Sequence, residues 1–413
     1  MAERERVILH SDLNNFYASV ECLIQPGLRD KYVAVCGKEE DRHGIVLAKN
    51  QAAKMLGIRT GDTVWQAKKK CPELVVVQPH FDLYQHYSQL AREIYMDFTD
   101  QIEPFGMDEC WLDVTGSVHL MGSGAEIAEQ IRKRMEEELG LTVSVGVSFN
   151  KVFAKLGSDL KKPNAVTVIT KANFKKMLWD LSASELLGVG RSTGKTLEKY
   201  GIHTIGQLAN ANPELLKQWL GVNGARLHRW ANGLDTSPVQ TVDYQREVKS
   251  VGRGITCVED LDCEDDVWKV ILAMAQKVAV ELRSIGLHAG GIGLEVKNNQ
   301  LVRMSMQSRF DVPVQTAGAL AERAMEMFKA QYDWKYPVRA LAVRAIYLTE
   351  AQYSQLTITD GKHPIARRAI EGVMDELKAK YGREVTTFGT LMCENKMPDK
   401  GMHEIVLPGL IKD

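Results

Sequence analysis

The chain has 413 residues, 45% of them hydrophobic and 25% charged, with a net charge of −1. That length exceeds one ordinary core and divides into several small domains, while the apolar fraction excludes a wholly disordered chain and the near-zero charge excludes a uniformly basic nucleic-acid binder. MAERERVILH lacks the apolar core of a signal peptide, no window approaches the ~18 apolar residues of a membrane span, and seven scattered cysteines without a C-x-x-C pair argue against a zinc cluster, so a cytoplasmic, reduced protein is expected.

In chain order, residues 6–12 form an apolar strand that ends on Asp12, and FYASVECLI opens a helix for which Asn14 or Asn15 is available as cap. Residues 32–36 and 45–48 read as short strands, QAAKML as a helix stopped at Gly57, and WQAKKKCP as another stopped by Pro72. LVVVQP is a strand. HFDLYQHYSQLAREIYMDFT is a long amphipathic helix with Leu83, Tyr87, Leu90, Ala91 and Ile94 on one stripe. Strands at 101–104 and 110–114 precede the helix GAEIAEQIRKRMEEELG and the strand TVSVGVS. Strand, helix, two strands, helix, strand is a split βαβ pattern, which predicts an α+β sheet with helices on one face. After Ile169 short helices alternate with glycines, TSPVQTVDYQREV reads as an extended linker, and from Lys249 a second α+β unit begins. The tail holds one helix, Ile365 to Tyr381.

The second acidic island is FGMDECWLDVTG. Strand neighbours point to opposite faces, so Asp108 and Glu109 serve one site only at a hairpin bend or bulge, which Gly106 makes feasible; the plainer alternative is a pair of turn acids. With Asp12 they make an oxygen-only donor set suited to Mg²⁺. A third element, NKVFAKLGSDLKKPNAV, is an amphipathic helix whose end delivers Lys161 and Lys162, and a lysine there can neutralise a metal-held triphosphate.

Together, HSDLNNFYASVE, GMDECWLDVTG and GVSFNKVFAKLGSDLKKPN resemble the Y-family translesion DNA polymerases of the DNA polymerase IV (DinB/UmuC) type, in order from about Val7 to Tyr347. The resemblance implies a multidomain right-hand polymerase: a split βαβ palm (1–17 and 79–170), small fingers (18–78), a helix-hairpin-helix thumb (171–238), a linker (239–248), an α+β little finger (249–350) and a tail (351–413). It implies an error-prone, template-directed enzyme acting on primer–template DNA and dNTP as a monomer. Asp12, Asp108 and Glu109, with the Leu13 carbonyl, would hold two Mg²⁺ ions, with Mn²⁺ able to substitute. Tyr17 would be the steric gate against ribonucleotides, packed on Phe16 beside Asn15. Ile45 would roof the nascent base pair and Lys162 would meet the triphosphate. Gln51 and Lys54 stand where the family commonly has tyrosine and arginine; lysine keeps the charge but loses the bidentate fork.

LLGVGRSTGKTLEKYG carries the helix-hairpin-helix signal, with Gly188 and Gly190 for close phosphate approach and Arg191 and Lys195 beside them; a second, weaker copy is LKQWLGVNGARLHRW. A G-x-G alone is more often a helix cap. Here it lies in a segment, residues 150–235, with 13 Lys/Arg against 6 Asp/Glu. Without that thumb, a nucleotidyl cyclase would account for the paired acids; without the acids, a DNA-binding scaffold would account for the thumb. By the same resemblance Arg253 would meet phosphate. YSQLTITD resembles a β sliding-clamp peptide through Gln355, Leu356 and Ile358, with Thr359 in place of the terminal aromatic; an ordinary loop is the alternative.

Overall fold

A computed structural model describes residues 5–38, 44–244, 246–350, 363–382, 385–392 and 396–398. Gln355, Leu356 and Ile358 of the expected clamp peptide lie outside the described residues. In chain order the elements are β1 (Ile8–Leu13), α1 (Phe16–Ile24), β2 (Val33–Cys36), β3 (Val46–Lys49), α2 (Gln51–Met55), α3 (Val64–Lys70), β4 (Val75–Val77), α4 (Phe81–Met96), β5 (Ile102–Pro104), β6 (Glu109–Asp113), α5 (Val118–Met121), α6 (Gly124–Leu139), β7 (Val143–Ser148), α7 (Lys151–Leu160), β8 (Val166–Val168), α8 (Phe174–Leu178), α9 (Arg191–Lys199), α10 (Ile205–Asn210), α11 (Pro213–Leu220) and α12 (Val222–Ala231). They continue with β9 (Ser250–Leu261), α13 (Glu264–Ser284), β10 (Leu287–Asn298), β11 (Arg303–Val314), α14 (Ala317–Gln331), β12 (Val338–Glu350) and α15 (His363–Tyr381). The chain divides into two compact units, one chiefly up to residue 245 and one chiefly from 246.

The first unit is organised on a five-stranded sheet ordered β5-β6-β1-β7-β8, with β1 antiparallel to both neighbours. Strand alternation sends Leu9 and Leu13 into a core shared with Ala91 and Ile94 of α4 and Ile127 and Ile131 of α6. Ile8 faces the other way and packs with Trp111 and Ala154 of α7. The sheet therefore carries helices on both faces, not on one as the sequence pattern predicts. Gly146 of β7 is the reason: a Cβ there would fall 1.9 Å from the Ala154 carbonyl oxygen, so only glycine lets α7 lie directly on the strand.

The buried stripe of α4 is Tyr84, Ser88, Ala91, Ile94 and Tyr95, with Leu83, Tyr87 and Leu90 half-buried at its edge. The predicted stripe is thus rotated, because Tyr84 and Tyr95 find hydrogen-bond partners inside: the Tyr84 hydroxyl donates to Glu21, and the Tyr95 hydroxyl donates to Ser11 at 2.9 Å. A separate small sheet, β3-β2-β4, holds the segment expected to be fingers. Helix α1 spans the boundary expected after Tyr17, with Phe16, Ala18 and Val20 in a core that the large sheet shares with Val35 of the small one. The first residues of the segment expected as a linker are held by the large sheet. Val239 is buried with Ile8 and Trp111, the Gln240 N–H donates to Glu103 at 3.1 Å, and the Val242 N–H donates to the Asp100 carbonyl at 2.9 Å.

Helices α8 to α12 share a core into which α7 sends Val152, Phe153 and Leu156. The second unit is an antiparallel sheet ordered β11-β10-β12-β9 with the helices α13 and α14. The described tail residues join it: Phe388, Leu391 and Met397 pack against its core, and the Arg283 guanidinium joins Glu371 and Asp375 of α15, each at 2.6 Å. Among the described residues no helix is long and apolar enough to cross a membrane.

Candidate active site

Every residue of β1 is buried, and its register sets Asp12 opposite Glu109 of β6. β5 and β6 pair as far as Pro104 and Cys110, and the Phe105 N–H donates to the Glu109 carbonyl at 2.9 Å, which makes residues 105–108 a hairpin loop. Asp108 thereby escapes the alternation that would aim it away from Glu109. Its own carbonyl accepts from the Leu13 N–H at 2.9 Å, locking the loop to the end of β1. Asp12, Asp108 and Glu109 meet at one end of the sheet, as a hairpin bend at Gly106 predicts.

Two lysines of the α7 segment close on these acids. Lys162 Nζ lies 2.6 Å from Asp12 Oδ2 and 2.8 Å from Asp159, and Lys155 Nζ lies 2.7 Å from Glu109 Oε2. Asn14 orients the first: its Nδ2 donates to Ser144 Oγ at 2.9 Å and its Oδ1 accepts from the Asn164 N–H at 2.8 Å, tying the chain just after Lys162 to β1. Lys161 is exposed. Sequence reasoning misses Lys155 and Asn14, because a mid-helix lysine reads as a solvated face and a strand-terminal asparagine as a cap.

The electrostatics follow from burial. Burial pushes the Asp12 carboxyl up to about 7, against the pull of Lys162 and with help from Glu109. Asp108 is raised too, by burial and then by the charge of Glu109. Burial works in the same direction on Glu109, but His10 and Lys155 together hold it well below the usual carboxylate range. Of these two, Lys155 is the decisive partner. His10 is itself driven down to about 4 by burial, so its ring is neutral at pH 7, and its Nε2 stands 3.6 Å from Glu109, beyond hydrogen-bonding distance. The donor set is all oxygen and suits a hard divalent cation. Among the described residues, Asp262, Cys263 and Asp266 bring ligand atoms within 4.8 Å of one another, but Lys396 already pairs with both of those aspartates.

Tyr17, half-buried on α1, stacks on Tyr84 at 4.2 Å and 11°, and its hydroxyl reaches the Met107 sulfur at 3.5 Å. Burial raises its phenol pKa, and the charge of Asp108 raises it further. Phe16 is buried behind it at 5.6 Å. Asn15 holds the N-cap position of α1 with a left-handed backbone, φ 51°, but its side chain makes no capping bond. In the small sheet Asn50 caps α2 by accepting from the Ala53 N–H, Gln51 is half-buried, and Lys54 and Ile45 are exposed.

In the helical segment Gly188 has φ 87° and Gly190 is the N-cap of α9, where no side chain caps and Arg191 and Lys195 are exposed. The second copy is real as a helical hairpin: Gly221 alone joins α11 to α12, and a Cβ at Gly224 would fall 2.0 Å from the Leu216 carbonyl oxygen. Arg253 does not extend freely from its sheet. It shares the helix-covered face with Val251, and its guanidinium lies 2.7 Å from Glu281 of α13. The exposed arginine beside it, across the strands, is Arg344, whose stem lies over Gly252.

Comparison with known proteins gives three family matches: the impB/mucB/samB family over residues 11–159, its C-terminal domain over 248–358, and the thumb domain described as that of DNA polymerase-iota over 184–235. A DNA polymerase IV of Acetivibrio thermocellus is 46% identical over 97% of this chain and 100% of its own length. A DNA polymerase IV 1 of Bacillus subtilis is 34% identical over 97% of both chains. Among solved structures, a chimaeric Y-family DNA polymerase superposes with a TM-score of 0.73 at 24% identity, covering 83% of this chain and 99% of that one.

Proposed function

The chain belongs to the impB/mucB/samB family of bacterial Y-family DNA polymerases, the DNA polymerase IV type, and on that premise we propose which residues carry its template-directed translesion DNA synthesis. The observation that carries the assignment is the meeting of Asp12, Asp108, Glu109 and Lys162 at one sheet end. The family depends on divalent metal, and here Asp12, Asp108, Glu109 and the Leu13 carbonyl would hold it. Two Mg²⁺ ions, or Mn²⁺ in their place, would acidify the primer 3′-hydroxyl and neutralise the triphosphate and departing pyrophosphate.

The chain's own groups do the rest. Lys162 exchanges Asp12 for a phosphate oxygen when a nucleotide arrives, while Lys155 keeps Glu109 ionised and aimed. Tyr17, backed by Tyr84 and Phe16 and entered through Asn15, presents a fixed aromatic edge to the sugar and rejects a 2′-hydroxyl. Ile45 covers the nascent pair, and Gln51 and Lys54 face the triphosphate with a hydrogen-bonding group and a single charge. Gly188 and Gly190 bring backbone N–H groups to the duplex phosphates, with Arg191 and Lys195 beside them. Arg253 supports its strand through Glu281, and docking to a sliding clamp is assigned to Gln355, Leu356 and Ile358. Primer extension with Mg²⁺ tests the core: Asp108→Ala should lose about a thousandfold or more in rate while still binding primer–template DNA. Undiminished extension by that variant removes Asp108 from the site.

A further inference from the structure

The fingers carry a surface feature that the chemistry above leaves unused. Between Gly44 and Pro72 the chain has six Lys/Arg against one acid, Asp62, and Lys70 already neutralises Asp62 at 2.6 Å. Helix α3 buries Val64 and Ala67. Its other side presents Trp65 with 67% of its surface exposed. Lys68 and Lys69 follow Trp65 by three and four residues and so share its face, with the Lys69 ammonium 5.4 Å from the ring centroid. A capping box between Thr63 and Gln66 fixes the first turn, so the indole stands on a rigid base. A bare aromatic ring flanked by unpaired-strand countercharge is the chemistry that holds single-stranded nucleic acid: the ring stacks on any base, and the lysines follow the phosphates.

Its position says which strand. Ile45 forms a β-bridge with Thr63, the cap of α3, so Trp65 begins two residues from the partner of Ile45. We propose that α3 binds the unpaired 5′ stretch of the template, with Trp65 stacking on a base and Lys68 and Lys69 neutralising two phosphates. The inference rests on the assignment of Ile45 as cover of the nascent base pair, past which the incoming template must run.

The test uses the full chain and fluorescently labelled primer–template duplexes, one with a ten-nucleotide 5′ template overhang and one blunt, in anisotropy titrations. Wild type should prefer the overhang; Trp65→Ala should lose about tenfold in overhang affinity with blunt affinity unchanged, and Trp65→Phe should restore most of it. Lys68→Gln with Lys69→Gln should flatten the salt dependence of overhang binding by about 1.4 in log–log slope, about 0.7 for each phosphate on a single strand. Equal losses on both duplexes, or none on either, overturn the proposal. The underlying assignment is read separately: an Ile45→Ala variant with unchanged nucleotide KM removes Ile45 from the nascent pair, whatever the overhang titrations show.

Discussion

Asp12 shows what the site costs the fold. Its carboxyl is raised from 3.8 to about 7, so the stability linked to its protonated form is present below pH 4 and lost as pH rises through about 7. Asp12→Asn cannot ionise and should be more stable than wild type in chelator at pH 8, by on the order of 4 kcal/mol for roughly three pKa units at about 1.4 kcal/mol each. The gap should shrink towards pH 4, and a pH-independent difference in calorimetry would contradict this. Tyr17 makes a second residue-scale test: Tyr17→Ala should raise ribonucleotide relative to deoxynucleotide kcat/KM by about a hundredfold, the scale on which a pocket rejects an added hydroxyl. Unchanged discrimination in single-turnover incorporation would sink the gate. The pattern of a strand-terminal acid followed by paired aromatics singles out Asp12 and Tyr17 in the chain, while the gate role of Tyr17 comes only from the family resemblance. Lys155 was not, since nothing local distinguishes a helical lysine over a carboxylate from one in water.

At the scale of elements, α7 decides the geometry. It reaches the sheet only because Gly146 leaves space, and that close approach carries Lys155 and Lys162 to the acids. Gly146→Val should lift the helix, destabilising the protein by about 3 kcal/mol as an overpacked core does and lowering primer extension together with nucleotide affinity. A denaturant midpoint and extension rate equal to wild type would show that the contact relaxes freely. The periodicity of the helix and the small residues of β7 are visible in the sequence. Which face of the sheet the helix covers is not, because a strand with apolar residues on both faces admits either, and the single predicted helical layer failed on that point.

For the second unit, α15 is a structural element. Glu371, buried on α15, accepts from the Arg283 guanidinium and from the Ala317 N–H at the start of α14. Glu371→Ala leaves the buried Ala317 N–H without its acceptor and Arg283 with Asp375 and the Gln315 carbonyl only, and should cost about 2 kcal/mol, seen as an early transition of the second unit in denaturant unfolding with primer-independent dNTP binding intact; a single unshifted transition would count against it. The chain by itself determined the order of elements, the family and the acids, because periodicity, caps and long motifs are local properties that any contiguous stretch displays. Only the tertiary structure decided that Lys155 serves Glu109, that Arg253 pairs with Glu281, and that residues 239–242 are docked. Each depends on pairing between segments far apart in sequence, where burial and charge are settled by what the fold brings alongside.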